Sequence, residues 1–174
     1  MIQFGPLIIE KGLIENGTEI KRNTVRAIIT NEKKEVLLVY SKLFDDYTFP
    51  GGGVKPEETE IDALKRELKE EIGASDIYDI KACGQAQERK YDFRGTQNIY
   101  LQTSTYYICK VGTKGQQSLI GREHYHGIEP KWVDIDEAIQ HNNIIMKDNR
   151  HQAKGLRTVL IRENMVLSKL KEIL

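Results

Sequence analysis

Glu67, Glu70 and Glu71 fall within five residues of one another in the stretch RELKEEIG, Arg66 to Gly73, where Arg66 and Lys69 are the only basic side chains. At about 100° per residue, a helix over this stretch puts Ile61, Leu64, Leu68 and Ile72 in one apolar stripe. The three glutamates fall beside that stripe within an arc of about 100°, and Asp62, Lys65 and Lys69 take the remaining side. Such a helix has a packing face, a solvated face and an acidic face. Two readings of the acidic face stand side by side. Exposed to water, like-charged neighbours cost only about 0.2–0.5 kcal/mol each, so a solvated face is tolerable. Lining a cleft, two carboxylates roughly 6 Å apart would repel by about 2–3 kcal/mol at an effective dielectric near 20. That site would favour a hard cation with oxygen ligands, Mg²⁺ above all, or Mn²⁺.

The elements around this turn must hold it in place. The apolar spacing predicts a helix from Pro56 to Ile72, with Gly73 as its stop. Upstream, Pro50 is followed by Gly51, Gly52 and Gly53, which let a backbone turn sharply and approach another surface closely. The runs TVRAIIT (24–30) and EVLLVYS (35–41) read as an antiparallel pair joined by the polar NEKK, and YTF continues the sheet toward Pro50. Two further strands are expected at about 77–87 and 98–111, with the polar ERKYDFRGTQ between them. KWVDI reads as a strand whose Trp132 faces the core. A short helix at about 135–141 and a longer one from about 150 to the C-terminus complete the chain. Within the first 23 residues, Asn16-Gly17 marks a small hairpin. Strands and helices interleave without a regular βαβ rhythm, which favours an α+β mixed sheet over a doubly wound one.

Read outward, the acidic turn sits in GGVKPEETEIDALKRELKEEIGA, Gly52 to Ala74. This resembles the signature of the Nudix hydrolases: Gly, five residues, Glu, seven residues, Arg-Glu, an apolar residue, any residue, Glu-Glu, any residue, Gly and an apolar residue. The matching positions are Gly52, Glu58, Arg66, Glu67, Leu68, Glu70, Glu71, Gly73 and Ala74. Seven fixed identities coincide by chance on the order of 10⁻⁷ per starting position at ordinary residue frequencies. Ala74 is the one departure, standing where the family usually has a larger aliphatic residue.

The resemblance implies a Nudix-type α/β/α sandwich with a mixed β-sheet between helices. It implies metal-dependent hydrolysis of the diphosphate linkage in a small-molecule nucleoside diphosphate derivative, with water attacking phosphorus and Mg²⁺ (or Mn²⁺) as cofactor. The family's metal ligands carry over to Glu67, Glu70 and Glu71, Glu67 also helping to position or deprotonate the water. Glu58 and Arg66 carry over as an ion pair bracing loop against helix. Members often recruit a further carboxylate as base or ligand from downstream, for which Glu123 and Glu88 are the candidates. Tyr91 stands about where diadenosine-polyphosphate hydrolases of the family often have a tyrosine, so it is a candidate for stacking on a base. Arg89 and Arg94 could receive a polyphosphate, or be solvated loop cations. The alternative from another class is a non-hydrolytic Nudix domain that binds and senses a nucleotide; such domains tend to have eroded signatures, and this one is intact.

The rest of the chain sets bounds. Its 174 residues suit a single domain over 1–174. Lys and Arg together number 26, as do Asp and Glu, so the formal net charge is zero and no basic footprint for nucleic acid is expected. No apolar run approaches the roughly 20 residues that span a bilayer, and the N-terminal stretch does not read as a signal peptide. Cys83 and Cys109 form no CxxC pair and read as buried free thiols, consistent with a cytoplasmic setting. The C-terminal series Leu156, Val159, Leu160, Leu167, Leu170 and Leu174 has helical spacing, so packing on the same chain (a monomer) or a seam in a homodimer are both open.

Overall fold

The architecture is that of a computed structural model, which describes residues 1–14, 16–112, 115, 117, 124 and 126–174. The elements run β1 (Ile2–Gln3), β2 (Ile8–Ile9), β3 (Glu19–Ile28), β4 (Val36–Ser41), β5 (Asp46–Thr48), β6 (Gly51–Gly53), α1 (Glu60–Ile72), β7 (Ile77–Tyr91), β8 (Ile99–Val111), β9 (Ile128–Val133), α2 (Ile135–Ile145) and α3 (Val159–Ile173). A mixed sheet has the order β1-β7-β8-β3-β6, with β2 also on β7. A second sheet has the order β5-β4-β9.

Both faces of the central strands are covered, and the period of two in the strand sequences decides which helix each residue meets. Val25, Ala27 and Ile29 of the β3 segment pack with Leu37 and Val39 against Ala63, Leu64, Leu68 and Ile72 of α1. The alternate residues Ile28, Val36 and Leu38 pack with Phe49 and Tyr106 against Ala138 of α2 and Val166, Leu167 and Leu170 of α3. The result is the expected α+β sandwich, a mixed sheet between helices.

The acidic helix is set by local chemistry at both ends. Thr59 caps it, its hydroxyl accepting the Asp62 N–H at 3.1 Å. Gly73 ends it in the left-handed conformation, φ 68°, its N–H donating to the Lys69 carbonyl at 3.1 Å. Pro56 to Thr59 therefore lie ahead of the helix, which is shorter than the apolar spacing alone suggests.

Several expectations are corrected by long-range pairing. The runs at 24–30 and 35–41 are not a hairpin pair within one sheet. β3 joins β6 antiparallel and β8 parallel, whereas β4 joins β5 and β9. Backbone pairing between the two runs is confined to the Thr30–Val36 bridge and the Leu37 N–H to Ile29 carbonyl bond. In place of an N-terminal hairpin, β1 and β2 each lie parallel to β7, with Ile2 opposite Gly84 and Ile8 opposite Glu88. That outer edge of β7 needs partners for its backbone groups, and β3 starts at Glu19, taking in the residues expected for the hairpin's second arm. β7 extends through Tyr91, into the segment expected as a loop. The C-terminal helix begins at Val159 rather than about 150, because the Gly155 N–H is taken at 2.8 Å by the buried Glu10 carboxylate instead of a helical carbonyl. Trp132 is 38% exposed, since alternation in β9 turns Val133 to the core and Trp132 away from it. The cysteines are free, Cys109 buried and Cys83 half-buried.

Candidate active site

Glu67 and Glu71 are only 6% and 8% exposed, yet both line a cleft of about 330 Å³. Its floor is the glycine strand β6. A Cβ on Gly52 would lie 2.4 Å from Glu67 Oε1, so this carboxylate sits where only glycine leaves room. Glu71 Oε2 accepts the Gly51 N–H at 2.8 Å. The bare glycine backbone and the acidic helix thus interlock, and each fixes the other.

Arg66 organises the remainder of the acidic turn. Its Nε and Nη2 donate to the two Glu58 carboxylate oxygens at 2.7 and 2.9 Å, a bidentate pair. Its Nη2 also donates to the Gly53 carbonyl at 3.0 Å, and its Nη1 to Glu67 Oε1 at 2.6 Å, with Glu70 Oε2 at 3.5 Å. Hydrogen bonding from Arg66 holds the Glu58 carboxyl down to about 2. The expected loop-to-helix brace is therefore formed, and Arg66 additionally reaches both neighbouring glutamates.

Among the described residues, no three acidic, imidazole or thiol side chains converge as a ready-formed ion cage. Glu67 and Glu70 lean on Arg66 instead, and Glu71 on the glycine amide. The donor set itself fits a hard divalent cation: carboxylate oxygens at i, i+3 and i+4 on one helix face, two of them opening into a cleft.

The opposite walls of the cleft come from elements distant in sequence. Arg22 and Arg26 of β3, Ser41 of β4, Phe44, Asp46 and Thr48 of the β4–β5 hairpin, His126, and His151 with Val159 all face it. Arg26 Nη1 donates to the carbonyls of Phe49 and Gly51 at 3.0 and 2.9 Å, bracing the glycine strand from behind. Arg22 Nη1 donates to Gln102 at 3.1 Å, and its guanidinium lies 5.5 Å from the Tyr100 ring centroid. The pair supplies positive charge beside the glutamates. Sequence reasoning overlooked both. Their signal was an arginine recurring four residues apart on an apolar strand, hence on one face.

The other candidates are placed elsewhere. Glu88 lies fully buried between β7 and α3, outside the cleft lining, accepting Arg162 Nη1 at 2.6 Å, the Thr158 hydroxyl at 2.6 Å and Gln102 at 2.8 Å. Burial pushes its carboxyl up, but Arg162, Lys90 and the Thr158 hydrogen bond outweigh that and bring it to about 2. It is a counter-ion in the interior. Tyr91 lines a different cavity, of about 430 Å³, where its hydroxyl accepts the Ile14 N–H at 2.7 Å and donates to the Gly12 carbonyl at 2.9 Å. Arg89 pairs with Glu19 at 3.0 Å, and Arg94 lies 5.9 Å from the Phe93 ring centroid. Glu123 lies outside the described residues.

A fold of this kind with an acidic, glycine-floored cleft defines a class, and comparison with known proteins names it. The model of the NUDIX domain matches residues 20–154. The chain belongs to the Nudix domain family. An RNA pyrophosphohydrolase of Ruthia magnifica subsp. Calyptogena magnifica is 48% identical over 54 residues, which is 31% of this chain and 30% of that protein. An RNA pyrophosphohydrolase of Pseudomonas putida is 44% identical over 63 residues, 36% of this chain and 40% of that protein. The chain spans less than half the length of these curated relatives. Among solved structures, a NUDIX hydrolase from Nitrosomonas europaea superposes with a TM-score of 0.55 at 22% identity, over 78% of this chain and 92% of that chain, a likeness of fold.

Proposed function

We propose that this chain is a metal-dependent pyrophosphohydrolase that splits the diphosphate linkage of a nucleoside diphosphate derivative, with water as the nucleophile. The observation that carries this reading is the pairing, in one cleft, of the Glu67 and Glu71 carboxylates with the Arg22 and Arg26 guanidiniums over a side-chain-free glycine floor. A diphosphate needs donors for its oxygens, close backbone approach and acidic ligands for a cation, and these are the parts present.

Glu67, Glu70 and Glu71 would hold Mg²⁺ or Mn²⁺, which, when bound, polarises the phosphate and lowers the pKa of a coordinated water. The chain's own residues do the rest. Gly51 and Gly52 let the strand pack directly against the Val25 backbone and the Glu67 carboxylate, which keeps that carboxylate at the floor of the cleft. Arg22 offers charge-assisted hydrogen bonds to phosphate oxygens and offsets negative charge as it shifts toward the leaving group. Arg66 holds Glu67 in a defined rotamer through its 2.6 Å bond and is itself fixed by Glu58. Positioning of this kind supplies most of the barrier reduction in phosphoryl transfer, where the protein has little covalent chemistry to perform. Among the described residues no helix is long and apolar enough to cross a membrane. We place the reaction in the cytoplasm.

The test is product release from sugar nucleotides, dinucleoside polyphosphates, ADP-ribose, NADH, nucleoside triphosphates and a 5′-triphosphorylated oligoribonucleotide. The oligonucleotide is included because the curated relatives are named RNA pyrophosphohydrolases. Each compound is assayed with and without Mg²⁺, on wild type and Glu71→Gln. Turnover of one compound that disappears on chelation, and in a folded Glu71→Gln variant, is the expected result. Tight binding without turnover of anything would replace this reading with that of a nucleotide sensor.

A further inference from the structure

The β4–β5 hairpin carries two consecutive aspartates with opposite fates. Asp45, in the left-handed conformation at φ 53°, turns away from the cleft, and its carboxylate is held by the Tyr40 hydroxyl at 2.6 Å and by His141 Nε2 at 3.1 Å. Asp46 turns inward. It is 5% exposed, lines the cleft, and stands opposite Ser41 in the strand register, with Thr48 opposite Val39 and facing the same cleft. Among the described residues the basic side chain within 4 Å of it is His151, whose Nε2 lies at 3.8 Å, beyond hydrogen-bond range. That nitrogen is already engaged with the Phe44 carbonyl at 3.0 Å. A carbonyl only accepts, so Nε2 carries the proton and donates it there. Among the described residues no side-chain donor is in hydrogen-bond contact with the Asp46 carboxyl, which takes a backbone hydrogen bond from its own N–H and, lining the cleft, keeps capacity for a ligand. Beside it, the half-buried Phe44 ring packs against His126 and His151, centroids at 5.0 and 5.7 Å.

We propose that Asp46 is a specificity-determining residue whose carboxyl group hydrogen-bonds the polar edge of the substrate's nucleobase, with Phe44 and Thr48 lining the space that the base occupies. The inference rests on the nucleotide reading of the cleft: the phosphates take the glycine, arginine and glutamate side, and the base takes the hairpin side.

The chemistry of the group then ties base preference to pH. Burial, and after it the negative charges of Glu163 on α3 and of Asp45, raise the Asp46 carboxyl to about 7, against the opposing pull of Arg150. Besides these, the group facing it from the α2–α3 connection is His151. Protonated, Asp46 offers one O–H donor beside one C=O acceptor, which matches the N1 acceptor and N6 donor of adenine. Ionised, it offers two acceptors, which match the N1–H and N2–H donors of guanine. An asparagine in its place would hold the donor–acceptor pattern at every pH.

The test is equilibrium binding of AMP and of GMP to the whole chain with Mg²⁺ present, by calorimetry at about pH 5.5 and about pH 8, on either side of the Asp46 transition. Both nucleotides share the same phosphate titration, so it cancels in the ratio of their affinities. In wild type that ratio should shift toward GMP by about tenfold or more on raising the pH, the scale of one bidentate base contact. Asp46→Asn should keep a constant ratio, close to the wild-type value at low pH. Asp46→Ser, which cannot make the paired contact, serves if the asparagine variant does not fold, and should show little preference at either pH. A pH-independent ratio in wild type, the same shift in a variant as in wild type, or no binding of either nucleotide overturns the proposal. Hydrolysis of some diphosphate without regard to its base would leave the hydrolase reading standing while removing this role from Asp46.

Discussion

One guanidinium, Arg66, contacts Glu58, Glu67, Glu70 and the Gly53 carbonyl, while the neighbouring carboxylate Glu67 rests against the α-carbon of Gly52. At this scale the site works by contact, and a single methyl group is enough to disturb it. Gly52→Ala would place a carbon 2.4 Å from Glu67 Oε1, and the carboxylate must swing away. Displacing a reacting group by about 1 Å commonly costs on the order of 10² in rate. Steady-state assays of Gly52→Ala on whichever diphosphate the wild type turns over should show a loss of that size, with the melting temperature shifted by only a few degrees. Activity within a factor of about two of wild type would mean that Glu67 does not act from this position.

The element that closes the cleft, α3, is docked by ions rather than by apolar contact alone. Fully buried Arg162 lies between Glu88 of β7 and Glu163, and Glu163 Oε2 in turn accepts the Phe49 N–H at 2.8 Å, just ahead of the glycine strand. Removing one member of a buried ionic set leaves uncompensated charge, typically at a cost of about 3–5 kcal/mol. Arg162→Met should therefore lower unfolding stability by that amount in urea titration. Adding Glu88→Gln to Arg162→Met should recover part of the loss, because one of the two stranded carboxylates is gone. Strict additivity of the two substitutions would show that the chain of contacts is not energetically coupled.

For the molecule as a whole, the acids whose surroundings shift their titration predict the shape of stability against pH. Glu88 and Glu58 both sit near 2, below their ordinary range. Their contribution is present above about pH 4.5 and is lost as the pH falls toward 2, because the unfolded chain takes up protons first. Asp46, raised to about 7, has the opposite sign: the folded state holds a proton that the unfolded state releases near 3.8, so its contribution is lost as the pH rises from there to about 7. Thermal melts across pH should accordingly fall away in acid, and they should also decline between about pH 4 and 7. Asp46→Asn should raise the melting temperature at about pH 8 and change it little at about pH 4. An equal effect at both pH values would mean that Asp46 is ionised throughout.

The acidic helix could be read from the chain alone because everything that shapes it is local. The apolar period, the Gly73 stop and the spacing of Glu67, Glu70 and Glu71 all lie within two dozen residues, and so does the Glu58–Arg66 brace. The apolar runs of β3 and β4 likewise announced buried strands, and the irregular interleaving of strands and helices announced an α+β chain with a mixed sheet. Partnership across the chain was not legible. β3 and β4 are adjacent in sequence but enter different sheets, and the choice is made by β8 and β9, many residues away. Glu88 read as a candidate base or metal ligand, whereas Arg162, 74 positions later, holds it in the interior away from the cleft. Asp46 is one of two identical neighbours, and only the left-handed turn at Asp45 and the arrival of His151 and Glu163 decide which of them faces the cleft. Spacing along a helix or strand is set by covalent geometry and can be counted, whereas burial and charge at a given carboxyl depend on which distant surfaces fold over it.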